Sequence, residues 1–156
     1  MKNKDLEVLW VEIESDLEDV ETIVKEVENL RSEIQSSRKE PSQRDKAALG
    51  SFLHSFYNGI ENILRRISRE VDGTLPQGEG WHRALLKRME REVPNRRASV
   101  LSEETADKLK PYLGFRHFFR HSYAFEIDWD KLKPLVENVE GVFKRFKQDL
   151  VIFFEG

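Results

Sequence analysis

Leu6, Ile13, Val20, Val27 and Ile34 recur at intervals of seven residues, with Trp10, Leu17 and Val24 between them. Alternating steps of three and four lay one apolar stripe along a helix of roughly nine turns. A chain that opens this way must bury the stripe on other helices, either inside a bundle or along a seam between two chains. The helix spans about residues 4–37 and stops in Ser36-Ser37-Arg38-Lys39-Glu40-Pro41, where Pro41 disfavours helix at the residue before it.

The same periodicity continues downstream. Leu49, Phe52, Leu53, Phe56, Ile60, Ile63, Leu64, Ile67 and Val71 form the stripe of a second helix, capped by Ser42 and ended by Asp72-Gly73 and the turn-rich Pro76 to Gly80. Trp81, Leu85, Met89 and Val93 mark a shorter third helix, closed by Pro94-Asn95. Ser102 with Glu103 and Glu104 starts a fourth, which Pro111 is expected to kink; with the turn after it, this segment covers about residues 102–124. Asp128 or Asp130 caps a last helix of about residues 130–154, with Pro134 in its first turn and Leu135, Val139, Val142, Phe146 and Leu150 inward. No segment alternates with the period of a half-buried strand. The expected fold is all-α, an up-and-down four-helix bundle with an additional short helix, built as one domain over residues 1–156.

Composition narrows the function classes. The absence of cysteine rules out disulfides and thiolate metal sites. The acidic N-terminal stretch carries no apolar run, so neither a signal peptide nor a membrane anchor is expected, and the protein reads as soluble and cytoplasmic. The net charge of -3 is unevenly spread. Residues 1–40 carry six Lys/Arg against twelve Asp/Glu, whereas residues 41–123 carry fifteen against ten. An acidic first helix thus precedes a basic middle of the kind a phosphate backbone requires.

Two of the four histidines fall in Arg116-His117-Phe118-Phe119-Arg120-His121-Ser122-Tyr123. Arginine offers a fork of donors suited to phosphate, and histidine exchanges a proton near neutrality. These are the needs of phosphodiester cleavage by a ribose 2′-hydroxyl, in which a base, an acid and a cation share the work. His117 and His121 are also spaced like a helical zinc pair, but no carboxylate follows the first histidine and arginines flank both, so no metal is expected. Arg83, Lys87, Arg88, Arg91, Arg96 and Arg97 form a basic face and tail around the third helix, candidates for auxiliary RNA contacts. Glu61 is placed to pair with Arg65 at i+4 or to orient a motif cation.

Arg116, four residues, His121, one residue and Tyr123 match the R-x4-H-x-Y motif, and the chain resembles the HEPN-domain toxins, including HepT-like ribonucleases. His117 suits the polar position after the motif arginine. Similarity extends to Tyr57-Asn58-Gly59-Ile60-Glu61, to Val71-Asp72-Gly73 and to Trp81-His82 with Leu85-Leu86, covering roughly residues 45 to 130.

The resemblance implies a homodimeric, metal-independent endoribonuclease without cofactors, of a type II or type VII-like toxin–antitoxin system, cleaving tRNA or mRNA. It implies that Arg116 stabilises the scissile phosphate, that His121 is the general base or acid, and that both protomers contribute to one cleft. It further implies neutralisation by a minimal nucleotidyltransferase (MNT) antitoxin, with Tyr123 the candidate site of AMPylation; His117 and Arg120 would support the site. A non-catalytic HEPN subunit that binds nucleotide or substrate for a nucleotidyltransferase is the alternative. Arg116 and His121 stand about 140° apart around a continuous helix, so both can serve one site only if the helix ends between them or a second chain completes it.

Overall fold

Five α-helices make up the computed structural model, which describes residues 3–156: α1 (Asn3–Ser37), α2 (Gln43–Ile67), α3 (Trp81–Glu90), α4 (Glu103–His121) and α5 (Trp129–Glu155). Side chains are described from Lys4 onward, and the first two residues of the N-terminal stretch lie outside the description. No strand occurs among the described residues, only a single bridge between Val93 and Arg97. The expected all-α bundle of four main helices and a short fifth is the observed one.

The α1 stripe is an intramolecular seam. Ile13, Leu17, Val20, Val24, Val27 and Ile34 are buried as expected, Leu6 and Trp10 are only half-buried with Leu9 buried beside them, and α1 packs on α2 and α5. The two-chain seam, left open by the spacing, is therefore not needed to cover it. The tightest approach is at Gly59 of α2, where an added Cβ would lie 2.6 Å from the Val20 Cγ2. Arg66 then ties the pair from outside, donating to Glu12 and Asp16. At the bundle centre Phe56 meets Tyr112 of α4 and Phe143 of α5 edge-on, at 5.3 and 6.4 Å. The Tyr112 hydroxyl donates to the Leu135 carbonyl, joining α4 to α5 without leaving a buried polar atom unpaired.

Local chemistry sets the helix ends. Ser42 and Asp45 form a reciprocal capping box at α2, Ser102 accepts from the Thr105 N–H at α4, and Asp128, not Asp130, caps α5. Because Asp128 is the cap, Pro134 is the sixth helical residue and sits in the second turn rather than the first, leaving the Asp130 carbonyl without its usual donor. The helix α4 continues through Pro111. One π turn, Ser68–Asp72, prolongs α2 to Gly73, whose φ of 77° ends it.

The helix α3 stops at Glu90, three residues short of the expected Val93. Arg91 is extended, and the Arg97 guanidinium collects the Arg88, Arg91 and Ala98 carbonyls that a longer helix would have used differently. The Met89 carbonyl accepts from Val100 and Leu101, which brings the chain directly to the start of α4.

The Gly59 contact gives a stability test. In Gly59→Ala the gain in helix propensity, about 1 kcal/mol, is outweighed by overpacking of about 1–3 kcal/mol. Its urea midpoint should fall, whereas Gly141→Ala, whose Cβ meets nothing within 4 Å, should hold or raise it.

Candidate functional site

The motif occupies the last two turns of α4 and the first residues beyond it. Helical order ends at His121, with Ser122 extended at the C-cap. Residues 116 and 120 share one face, 117 and 121 the next, and 115 and 119 the inner one. Phe119 supplies the inward anchor. Its ring lies over Gly50 of α2, where a Cβ would come within 2.9 Å of it, and packs beside the His54 ring at 5.2 Å.

Arg116 is half-buried against α2, and its Nε donates to the Asn58 Oδ1 at 2.7 Å. No partner for its two terminal nitrogens is found among the described residues, so the outer fork stays available for an anion. Asn58 in turn contacts His54 through its Nδ2, 3.4 Å from the Nδ1. His54, lying between Asn58 and Phe119, is held below the ordinary histidine value by burial, then by the positive charges of Arg116 and Arg120.

His117 and His121 are exposed, their rings 4.7 Å apart along one face. Arg120 is exposed beside them. His121 and Arg116 thus belong to different faces of one unbroken helix, the first of the two conditions set by the spacing being unmet within a chain. No group of three His, Asp or Glu side chains that would hold a metal ion forms among the described residues.

Beyond the cap, Tyr123 is 70% exposed and stacks on Phe125, 64% exposed, with centroids 5.4 Å apart and planes within 5°. The Glu126 carboxylate accepts from the Tyr123 N–H and fixes this short turn, Ala124–Glu126. Phe118 does not pack inward as Phe119 does. It rims a groove of ≈ 370 Å³ between α4 and α5, shared with Phe115, Ile127, Lys131 and Leu135.

The other candidates divide. Glu61, 4% exposed, is partnered neither by Arg65 nor by a motif cation: His82 reaches it at 2.7 Å. His82 stacks on Trp81 at 3.7 Å, and the Arg65 guanidinium lies over that indole at 5.2 Å. The phenol of buried Tyr57 is pushed up by desolvation and by Glu61, and partly drawn back by Arg116, which sets all three in one neighbourhood.

Of the basic set, Arg83, Lys87, Arg91 and Arg96 are exposed. Arg88 is turned inward onto the Ser68 hydroxyl and the Thr74 carbonyl and hydroxyl. Arg97, with its side chain 3% exposed, forms a two-pronged pair with Asp72. These two arginines hold the loops around α3: all three nitrogens of Arg97 are engaged, while Arg88 is tied through one terminal nitrogen. Arg91 follows α3 directly and Arg96 belongs to the loop before α4, whereas the motif closes α4, about 20–27 Å along that helix from its start.

Sequence reasoning passed over His54 and Phe125, and it named Asn58 only as part of the family-like segment Tyr57 to Glu61, without a role. The i, i+4 spacing of His54 and Asn58 on α2 was visible, but nothing in the sequence said that this step faces Arg116. For the loop arginine, Arg97→Ala should cost about 3–5 kcal/mol, because it strands the nearly buried Asp72 carboxylate. Thermal unfolding of Arg97→Ala beside Arg96→Ala, expected to match the parent within about 0.5 kcal/mol, checks this.

Comparison with curated proteins and with solved structures gives no match. A protein-family model described as HepT-like protein does match, over residues 48–156, from the first turns of α2 through α4 and α5 to the C-terminal residue. That span holds Asn58, Glu61, His82, the motif on α4 and the turn after it, and it covers more than half of the chain: the protein belongs to the HepT-like family.

Proposed function

We propose that this protein is the toxin endoribonuclease of a HEPN/nucleotidyltransferase pair, acting as a single HEPN-like domain that dimerises to complete its site. Membership of the HepT-like family, generally HEPN toxin ribonucleases of toxin–antitoxin systems, supports the class. The observation that carries the reading is the end of α4: an arginine gripped through its Nε with its outer fork free, beside two exposed histidines.

The chemistry needs no metal. A histidine, His121 in this reading, takes the proton of a ribose 2′-hydroxyl as its oxygen attacks the adjacent phosphorus. The O2′–P bond forms, the P–O5′ bond breaks, and the departing 5′-oxygen collects a proton from a second acid. The products are a 2′,3′-cyclic phosphate and a 5′-hydroxyl. Arg116 stabilises the charge that grows on the non-bridging oxygens. One protomer turns Arg116 and His121 to different faces, so the second acid and base come most simply from a twin copy. His117 and Arg120 extend the cationic surface, with Arg83, Lys87, Arg91 and Arg96 as outlying RNA contacts.

Cleavage of tRNA or mRNA should proceed undiminished in EDTA. It should fall by about 10²–10⁴-fold in Arg116→Ala or His121→Ala with thermal stability kept. Uncleaved RNA that still binds the parent protein would instead favour the non-catalytic subunit of a nucleotidyltransferase.

Control is proposed to act at Tyr123. It is 70% exposed, and HepT-like toxins pair with MNT antitoxins. With the cognate transferase and ATP, the intact protein should gain AMP by mass spectrometry and lose its ribonuclease activity. Tyr123→Phe should stay unmodified; adduct formation on that variant would move the site elsewhere.

A further inference from the structure

Arg116 is not held by a carboxylate, the usual partner for a half-buried guanidinium, but by an amide whose other end rests on an imidazole. The hydrogen-bond roles along this chain are forced. Arginine can only donate, so the Asn58 atom facing its Nε must be the oxygen. The Asn58 nitrogen therefore faces His54, and as a donor it requires the His54 Nδ1 to be bare. A neutral His54 satisfies this with its proton on Nε2, which is covered and finds no hydrogen-bond partner among the described residues.

A protonated His54 cannot satisfy it. Both ring nitrogens would then donate, and the Nδ1–H would oppose the Asn58 amide hydrogens. Turning the amide over mends that contact but points its nitrogen at the Arg116 Nε–H, again donor against donor. Only one of the two bonds survives the proton.

We propose that His54 is a positioning residue: through Asn58 it locks the Arg116 guanidinium while it is neutral and releases it when it is protonated. The charged groups acting on His54 are Arg116 and Arg120, both from α4; Asn58 on its own helix and the Phe119 ring also touch it, and the turn Ala124–Glu126, with the Glu126 carboxylate, packs on the same helix. Both cations oppose a further charge, so the locked form prevails at neutral pH. Since the folded value lies below the ordinary 6.5, the stability tied to neutral His54 is full above that pH and is lost as pH falls through the depressed value. The effect on RNA rests on Arg116 being the phosphate-binding group; the lock itself does not.

Side-chain NMR of the arginine Nε–H groups, assigned with Arg116→Lys, reads the lock directly. In the parent protein the Arg116 Nε–H should exchange slowly at neutral pH and lose that protection on acidification to about pH 5. His54→Gln, which keeps an acceptor and does not titrate, should stay protected throughout. His54→Phe, which offers no acceptor, should lose protection at every pH and bind RNA up to about tenfold more weakly. Protection unchanged in His54→Phe at neutral pH, or an acid-side loss in His54→Gln equal to the parent's, overturns the proposal. Should His54→Phe fail to fold, the His54→Gln titration decides alone. Inactivity towards RNA with the NMR pattern intact would sink the ribonuclease reading and leave the lock standing.

Discussion

A single hydrogen bond across the boundary of α2 and α4, from the Arg116 Nε to the Asn58 Oδ1, sets the direction of the one motif cation that is not simply in solvent. It works only because α4 lies close to α2, and that closeness has its own cause. Gly50 presents bare backbone to the Phe119 ring, and Phe56 seats Tyr112 two turns earlier. Apolar packing fixes the distance between the helices, and the polar contact then fixes the orientation. The same division runs down α2, where Asn58 meets α4 and Glu61, one turn on, meets His82 of α3.

Much of the fold was written in periodicity. The α1 stripe, the caps at Ser42 and Ser102 and the stop at Asp72-Gly73 are local signals, and local physics decides them. Where a long-range partner decides, the sequence misled. The end of α3 depends on Arg97 gathering carbonyls while paired to Asp72, twenty-five positions away, and nothing near Val93 announces that. The motif itself was legible because its residues are consecutive on one helix. Its supports were not, since a histidine and an asparagine on another helix look like any solvated polar step until the register of α2 on α4 is known.

Charged residues in this chain do two different jobs that sequence counting merges. Arg88 and Arg97 look like part of a basic strip with Arg83, Lys87, Arg91 and Arg96, yet both are tied into the fold, Arg97 through all three of its nitrogens and Arg88 through one. The basic surface near α3 is then carried by Arg83, Lys87, Arg91 and Arg96, separate from the Arg116 and Arg120 pair at the end of α4. Glu61 shows the converse: a buried acid that looked ready for a helix-surface pair is turned inward to an imidazole instead.

The family match begins at residue 48, so α1 lies outside it, although α1 supplies much of the core. Its outer face is strongly acidic, and it packs on α2 and α5, while the motif belongs to α4. Acidic side chains therefore line one flank, while Arg116 and Arg120 stand at the end of a different helix. A polyanion such as the RNA proposed above would be repelled from the first and turned towards the second before any contact forms. A helix outside the motif would thereby give that encounter a preferred orientation, one that weakens as salt shortens the reach of both fields.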